Sequence, residues 1–258
     1  MLARMTRSPL EVLSQTAPFG GSAREILEPL AAGARVLELP RGERFISAGD
    51  APDHLYHLVE GLTAVFHQHP DGRRVTVKHV GAPATLGEMQ VMAGLAFIEN
   101  AETLTPSTLV WLDGAAFKAY LAREPRATLA LFTDVCARFC VAARNERAIL
   151  FEVPARLAGL LLTYADVFGV PGPEGTLIRF PLTQRVLADG LGVVERSVRR
   201  ALGEWKKEGL LTTKKGWFVV TDVAKLDALS GDLRFSINYR PEVDLKRMAE
   251  RDQGALGE

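Results

Sequence analysis

The spacing of apolar residues changes near Gly114, and few folds accommodate both patterns in one chain. From Val36 to Asp113 the apolar residues fall in short runs, VLEL, LTAVFHQH, RVTVKHV and STLVWLD, separated by residues that favour turns. Short alternating runs predict strands, whereas recurrence every three or four residues, as found after Gly114, predicts helices. Asp71-Gly72 sits between two of the runs and predicts a hairpin, because glycine accepts the positive φ of a tight turn. The expected class is therefore α+β: a β-roll or jelly roll followed by a mostly helical half. No internal repeat is present.

Composition constrains the rest. With 258 residues, 47% of them hydrophobic, the chain can hold two cores of ordinary size. The 31 Lys and Arg balance 31 Asp and Glu, so any nucleic-acid partner must be met by a local basic patch. No apolar run reaches the ~18 residues of a membrane span, and MLARMTRSPL lacks the apolar core of a signal peptide, so a cytoplasmic protein with no membrane partner is expected. Cys136 and Cys140 stand four apart on a helical pattern and read as packed thiols, too few for a zinc or iron–sulfur ligand set. The five histidines, His54, His57, His67, His69 and His79, all fall in the strand-rich half and read as solvated or hydrogen-bonded side chains. Neither a metal nor a cofactor is expected.

Five segments follow from this reading. Residues 1–21 read as a loose N-terminal arm. Residues 22–124 form the β-roll, entered by a helix over Ser22–Ala32 whose Ser22 and Glu25 have capping-box spacing. Residues 125–152 form a long helix on which Leu129, Phe132, Cys136, Phe139, Ala143 and Leu150 make a coiled-coil seam, interrupted at Glu146. Leu131, Val135, Ala142 and Ile149 make a second stripe on the same helix, suited to packing on the roll. A helix with two apolar stripes has two partners, which predicts a homodimer through the first. Val153-Pro154 breaks the helix; residues 153–229 form the next domain, with VPGPEG as a surface loop, and 230–258 read as a C-terminal extension, either disordered or ordered by crystal contacts, with room for an amphipathic turn near Val243–Met248.

Within 153–229, PLTQRVLADGLGVVERSVRRALGEWKKEGLLTTKKGWFVVT predicts a helix over Thr183–Gly190, a turn at Leu191-Gly192-Val193, and a longer helix over Val194–Glu208. Two strands joined at Lys215-Gly216 would add a wing, with Trp217, Val219 and Leu211 turned toward the helices. Between Leu182 and Thr221 eight Lys or Arg face four acids, a local excess of four positive charges in a neutral chain. Such an excess is what phosphate contacts require. Arg196, Arg199 and Arg200 lie at i, i+3 and i+4, on one face of the second helix.

The order and text of these segments resemble the bacterial CRP/FNR family of transcription regulators, from about Ser22 to Leu229. The matching stretches are HLYHLVEGLTAVF, LGEM, LTQRVLADGLG, SVRRAL and KKEGLL, in family order. The resemblance implies a winged helix-turn-helix that binds double-stranded DNA as a homodimer, with RNA polymerase as a further partner. It implies phosphate contacts from Thr183 and Gln184, groove contacts from Arg196, Ser197, Arg199 and Arg200, and wing contacts from Lys214 and Lys215. Two positions depart from the family. Arg196 stands where many members carry a glutamate, so the preferred half-site should differ, and Val194 replaces the usual Ser or Thr cap at the start of the recognition helix.

The resemblance also implies an effector pocket, and here the sequence departs further. Cyclic-nucleotide-binding members follow Gly-Glu, about ten residues on, with an Arg and a Ser or Thr that take the cyclic phosphate. Gly87, Glu88 and Met89 keep the first half, but Glu99-Asn100-Ala101 replaces the second. Ala142 and Ala143 fall where the cyclic-AMP receptor presents hydroxyls to the base. A carboxylate in place of a phosphate-binding arginine replaces a charge-assisted pair with repulsion. The expectation is a regulator insensitive to cyclic AMP, with Glu88 serving as a structural acceptor for loop amides or an Arg. Alternatives are gating by another ligand such as cyclic di-GMP or haem, and a protein-interaction module that does not touch DNA. An enzyme is not expected, because no nucleophile, base and orienting group converge.

Overall fold

The computed structural model describes residues 7–71, 74–231, 233, 235 and 237–238, with side chains for all of these except 137, 140–147, 149 and 237–238. The chain divides into two compact units, one of residues 1–65 and 80–138 and the other of residues 66–79 and 139–258.

The first unit opens with helices α1 (Pro9–Ser14) and α2 (Arg24–Ala32) and strands β1 (Arg35–Leu39), β2 (Arg44–Ile46) and β3 (His54–Glu60). β4 (Leu62–Gln68) and β5 (Arg74–Gly81) follow as neighbouring strands of a hairpin whose far part, from Phe66 to His79, belongs to the second unit. Gly72 of the expected turn lies outside the described residues. β6 (Ala84–Leu86), α3 (Glu88–Ala93), β7 (Asn100–Thr103), β8 (Ser107–Asp113), α4 (Gly114–Arg123) and the start of α5 (Pro125–Glu146) complete the unit. One sheet has the order β1-β8-β3-β6, antiparallel throughout, with Arg35 opposite Trp111 and His54 opposite Asp113. The other contains β2, β7, β4 and β5 in that order. Leu58, Val65, Val80, Leu86, Phe97 and Leu109 form one core, and Leu55, Val110, Leu112 and Phe117 belong to a second beneath the helices.

Two expectations about the N-terminal region are corrected. The segment expected as a loose arm carries α1 and contributes Val12, Leu13 and Phe19, all buried, to that second core. Phe19 packs edge-on against the His57 ring at 5.0 Å, and Thr16 Oγ1 lies 2.9 Å from His57 Nε2. The capping box does not form: Ala23 is the N-cap of α2, and the Ser22 hydroxyl bonds the Tyr120 hydroxyl at 2.8 Å instead.

The second unit contains α6 (Val153–Phe168), a hairpin of β9 (Gly169–Gly172) and β10 (Gly175–Ile178), α7 (Gln184–Leu191), α8 (Glu195–Lys207), β11 (Leu211–Lys214), β12 (Trp217–Val220) and α9 (Val223–Ser230). Its sheet order is β11-β12-β10-β9, so the stretch expected as a surface loop supplies two paired strands. Tyr164, Phe168 and Phe180 are fully buried, and Phe180 lies 4.7 Å from each of the other two rings. Just beyond α9, Leu233 of the C-terminal extension is buried, and β13 (Ile237–Asn238) pairs with β5. Residues 239–258 lie outside the described residues.

Candidate nucleic-acid interface and effector pocket

Helix α7 starts where Thr183 Oγ1 accepts the Val186 N–H at 3.1 Å, an N-cap that satisfies a backbone donor otherwise left open. It ends at Gly192, whose φ of 64° suits a residue without a Cβ, and Val193 N–H closes the turn onto Ala188 O at 3.0 Å. An Arg156 guanidinium on α6 donates to Leu191 O, so a cation from another helix holds the carbonyl end of α7. Burial lowers the pKa of Arg156 from its ordinary value.

Helix α8 begins at Val194, which supplies no side-chain cap, as the sequence indicated. Val198, Ala201, Leu202 and Trp205 are buried and fix its rotation. That rotation leaves Arg196, Arg199 and Arg200 exposed. Arg199 Nε donates to Gln184 Oε1 at 3.2 Å, linking α8 to the first turn of α7. Arg199 also lies 3.5 Å from Glu195 and Arg200 3.7 Å from Glu204, exposed pairs of the kind that contribute little. Ser197 is half-buried beside them.

The wing forms as expected. Lys214 pairs with Trp217 across the β11–β12 hairpin, and Lys215 and Gly216 turn the chain at φ values of 48° and 83°. Leu211 and Val219 are buried and Trp217 half-buried. Lys214 Nζ makes an exposed ion pair with Glu174 at 3.1 Å, and Lys215 is exposed at the tip.

The pocket residues lie in the first unit. Gly87 takes φ 91° at the start of α3, where a Cβ would stand 2.7 Å from the Phe97 ring. This places Glu88 inward, 2% exposed, and its carboxylate is ion-paired with Arg138 of α5. Asp134, one turn earlier on the same helix, lies 3.0 Å from Arg138 Nε. Burial works against the Arg138 charge, but Glu88, Asp134 and Glu99 together outweigh it and hold the pKa above its usual value. Glu99 thus belongs to an acidic surround of one arginine. Asn100 Oδ1 accepts the Ala48 N–H at 3.2 Å, a purely structural bond, and Met89 is exposed. The Ala142 and Ala143 side chains lie outside the described residues.

Sequence reasoning did not single out Arg138. The available signal was its position seven residues after Leu131 on the roll-facing stripe, an arginine where an apolar residue fits the pattern.

On the opposite stripe Leu129, Phe132 and Phe139 are 66, 65 and 72% exposed. The helix expected to run to residue 152 ends at Glu146 and is followed by a 3-10 turn over Arg147–Leu150, so Leu150, 83% exposed, lies past the α5 seam. Cys136, expected as packed, is also exposed, because it shares their seam and none of the described residues covers it. The Cys140 side chain lies outside the described residues. Leu131 of the other stripe is buried, as expected. Among the described residues no group of three or more His, Cys, Asp or Glu could hold a metal, and no helix is long and apolar enough to cross a membrane.

The family model for the cyclic nucleotide-binding domain matches residues 36–124, and that for the Crp-like helix-turn-helix domain matches residues 155–229. The chain belongs to the CRP/FNR family. This CRP/FNR chain is 24% identical over 217 residues to the CRP-like cAMP-activated global transcriptional regulator of Mycobacterium tuberculosis, covering 84% of this chain and 97% of the relative. It is 28% identical over 191 residues to the transcriptional regulator LdrP of Thermus thermophilus, covering 74% and 94%. A solved CRP-family transcriptional regulator, also from Thermus thermophilus, superposes with a TM-score of 0.65 at 25% identity, covering 78% of this chain and all of the other. The protein is a DNA-binding transcription regulator of CRP type.

Proposed function

We propose that the protein acts as a homodimer on an inverted-repeat operator and that cyclic AMP does not gate it. The proposal on gating rests on one observation: the Glu88 carboxylate is buried and already paired with Arg138, with Glu99 in the same acidic surround. A cyclic phosphate brought there meets excess negative charge, a swing of several kcal/mol against binding, and each ~1.4 kcal/mol is tenfold in affinity. The mycobacterial relative is cAMP-activated; on this reading the present chain is not.

The exposed seam of α5 supports the dimer, since Leu129, Phe132 and Phe139 lie exposed on one stripe of the helix and a second copy would cover them. Two copies of α8 then enter successive major grooves, with half-sites about one helical turn apart. Thr183, Gln184, Lys214 and Lys215 hold phosphates, and Arg196, Ser197, Arg199 and Arg200 face the bases. RNA polymerase is the further partner.

The decisive experiment selects duplexes from a random pool with the purified protein and then titrates cyclic AMP by calorimetry, with and without the selected duplex. The expected result is a palindromic consensus, bound with unchanged affinity when cyclic AMP is present, and no heat of nucleotide binding. An asymmetric or absent consensus would remove the dimer reading, and micromolar cyclic-AMP binding would remove the gating reading.

A further inference from the structure

Helix α6 carries a notch on the face that the C-terminal segment meets. A Cβ on Gly159 would lie 2.7 Å from Leu233 O and 2.8 Å from Leu233 Cβ, closer than real Cβ atoms come, so only glycine lets that backbone approach. Leu233 is 2% exposed in this seat. One turn along, Thr163 Oγ1 donates to Gly159 O at 2.7 Å and accepts the Phe235 N–H at 2.8 Å. Two residues later the segment becomes β13 and pairs with β5, which would otherwise present an open strand edge.

The adjacent residue of α6 grips the same hairpin. The Tyr164 hydroxyl and His79 Nδ1 are 2.7 Å apart, both buried, and the His79 ring packs on Phe180 at 5.3 Å. Farther along the hairpin, Val75 stands 3.4 Å from where a Cβ of Gly192 would be. A cavity of about 720 Å³ separates the hairpin residues His67, Asp71 and Arg74 from Arg185, Val194 and Glu195. The hairpin thus stands beside the turn from which α8 begins.

We propose that Leu233, Phe235 and Ile237–Asn238 form an intramolecular clasp, one that seats in the Gly159–Thr163 notch, completes the edge of β5 and fixes the β4–β5 hairpin beside the helix-turn-helix turn. The segment is then a working part of the DNA-binding unit. Among the described residues its anchors are the Phe235 N–H, the β13 backbone and the buried Leu233 side chain, so it docks by strand addition.

Hydrogen exchange on the full chain tests this, comparing it with a chain stopped after Asp232, with the double variant Ile237→Pro/Asn238→Pro, and with Thr163→Val. The proline pair removes the strand's backbone donors and leaves the Leu233 seat untouched. Amides of residues 74–79 should exchange roughly tenfold faster in the truncated chain and the proline variant, and by a smaller factor in Thr163→Val, with α7 and α8 protection retained. Unchanged protection of 74–79 in the proline variant would overturn the clasp. If the truncated chain does not fold, the proline and Thr163 variants decide alone. The readout needs no DNA or nucleotide, so its failure is distinguishable from a failure of the operator or gating readings.

Discussion

Glu88 and Arg138 meet across 50 residues of chain, with the Glu88 side chain buried and that of Arg138 mostly so, at 12% exposed. Breaking a buried pair from one side leaves a charge without its partner, which costs about 3–5 kcal/mol, whereas replacing both partners costs much less. Arg138→Met should therefore lower unfolding stability by about 3 kcal/mol or more. The double variant Glu88→Gln/Arg138→Met should recover most of the loss in urea titrations. Equal losses in the single and double variants would show that the pair is not coupled. A second residue-scale effect comes from His57 and His79, whose pKa values burial pushes down to about 4. Both fold neutral while the unfolded chain binds protons near 6.5, so their stabilisation is complete above that pH. It is lost as pH falls from about 6.5 toward about 4, on the order of 3 kcal/mol for each. His57→Gln should flatten the fall in stability between about pH 6.5 and about pH 4.5 by roughly half. The sequence made Glu88 legible through its glycine and predicted an arginine or amide partner; it could not name Arg138, because the pairing depends on how α5 lies along the roll.

At the scale of elements, what could be read locally was read well. The turn at Gly192 and the Lys215-Gly216 turn both depend on residues a few positions apart, and each lies where spacing put it, while the helix before Gly192 starts one residue later than expected, with Thr183 as its cap. The failures depend on distant partners. Ser22 has the right spacing for a capping box, yet its hydroxyl is taken by Tyr120, 98 residues away. The β9–β10 strands contain Gly and Pro, which read as a loop until β12 pairs alongside. Helix α1 is only six residues long, too short for its periodicity to register before Val12 and Leu13 find a core. One element keeps a local defect that can be repaired: α8 starts on Val194, with no side-chain acceptor for its first amides. Val194→Ser should stabilise the second unit by about 1 kcal/mol, and Thr183→Ala should destabilise it by a similar amount. Thermal melts of the two variants should move in opposite directions; a shared downward shift would mean that Val194 packs in a way its 64% exposure does not indicate.

Across the whole molecule, the neutral net charge conceals a segregation that matters for assembly. The helix-turn-helix and wing hold the cationic excess, and α5 holds an apolar seam that the described residues leave open. One such unit touches one half-site, and a single DNA-binding module buries roughly 600–1,000 Å², which gives weak and strongly salt-dependent binding. Joining two copies through α5 makes the second half-site contact intramolecular, and affinity then rises by roughly 10² or more without any new kind of contact. In the proposed dimer the seam would thus set the affinity for the full site. Phe132→Glu places a carboxylate against its symmetry mate at the middle of that seam, where like charges and buried desolvation both oppose association. Sedimentation should show a monomer at micromolar concentration with the far-ultraviolet circular dichroism unchanged. Binding to the palindromic duplex should fall by roughly 10² or more, while binding to an isolated half-site falls little. If the variant stays dimeric, or if full-site and half-site affinities fall together, the α5 seam is not what joins the two DNA-reading units.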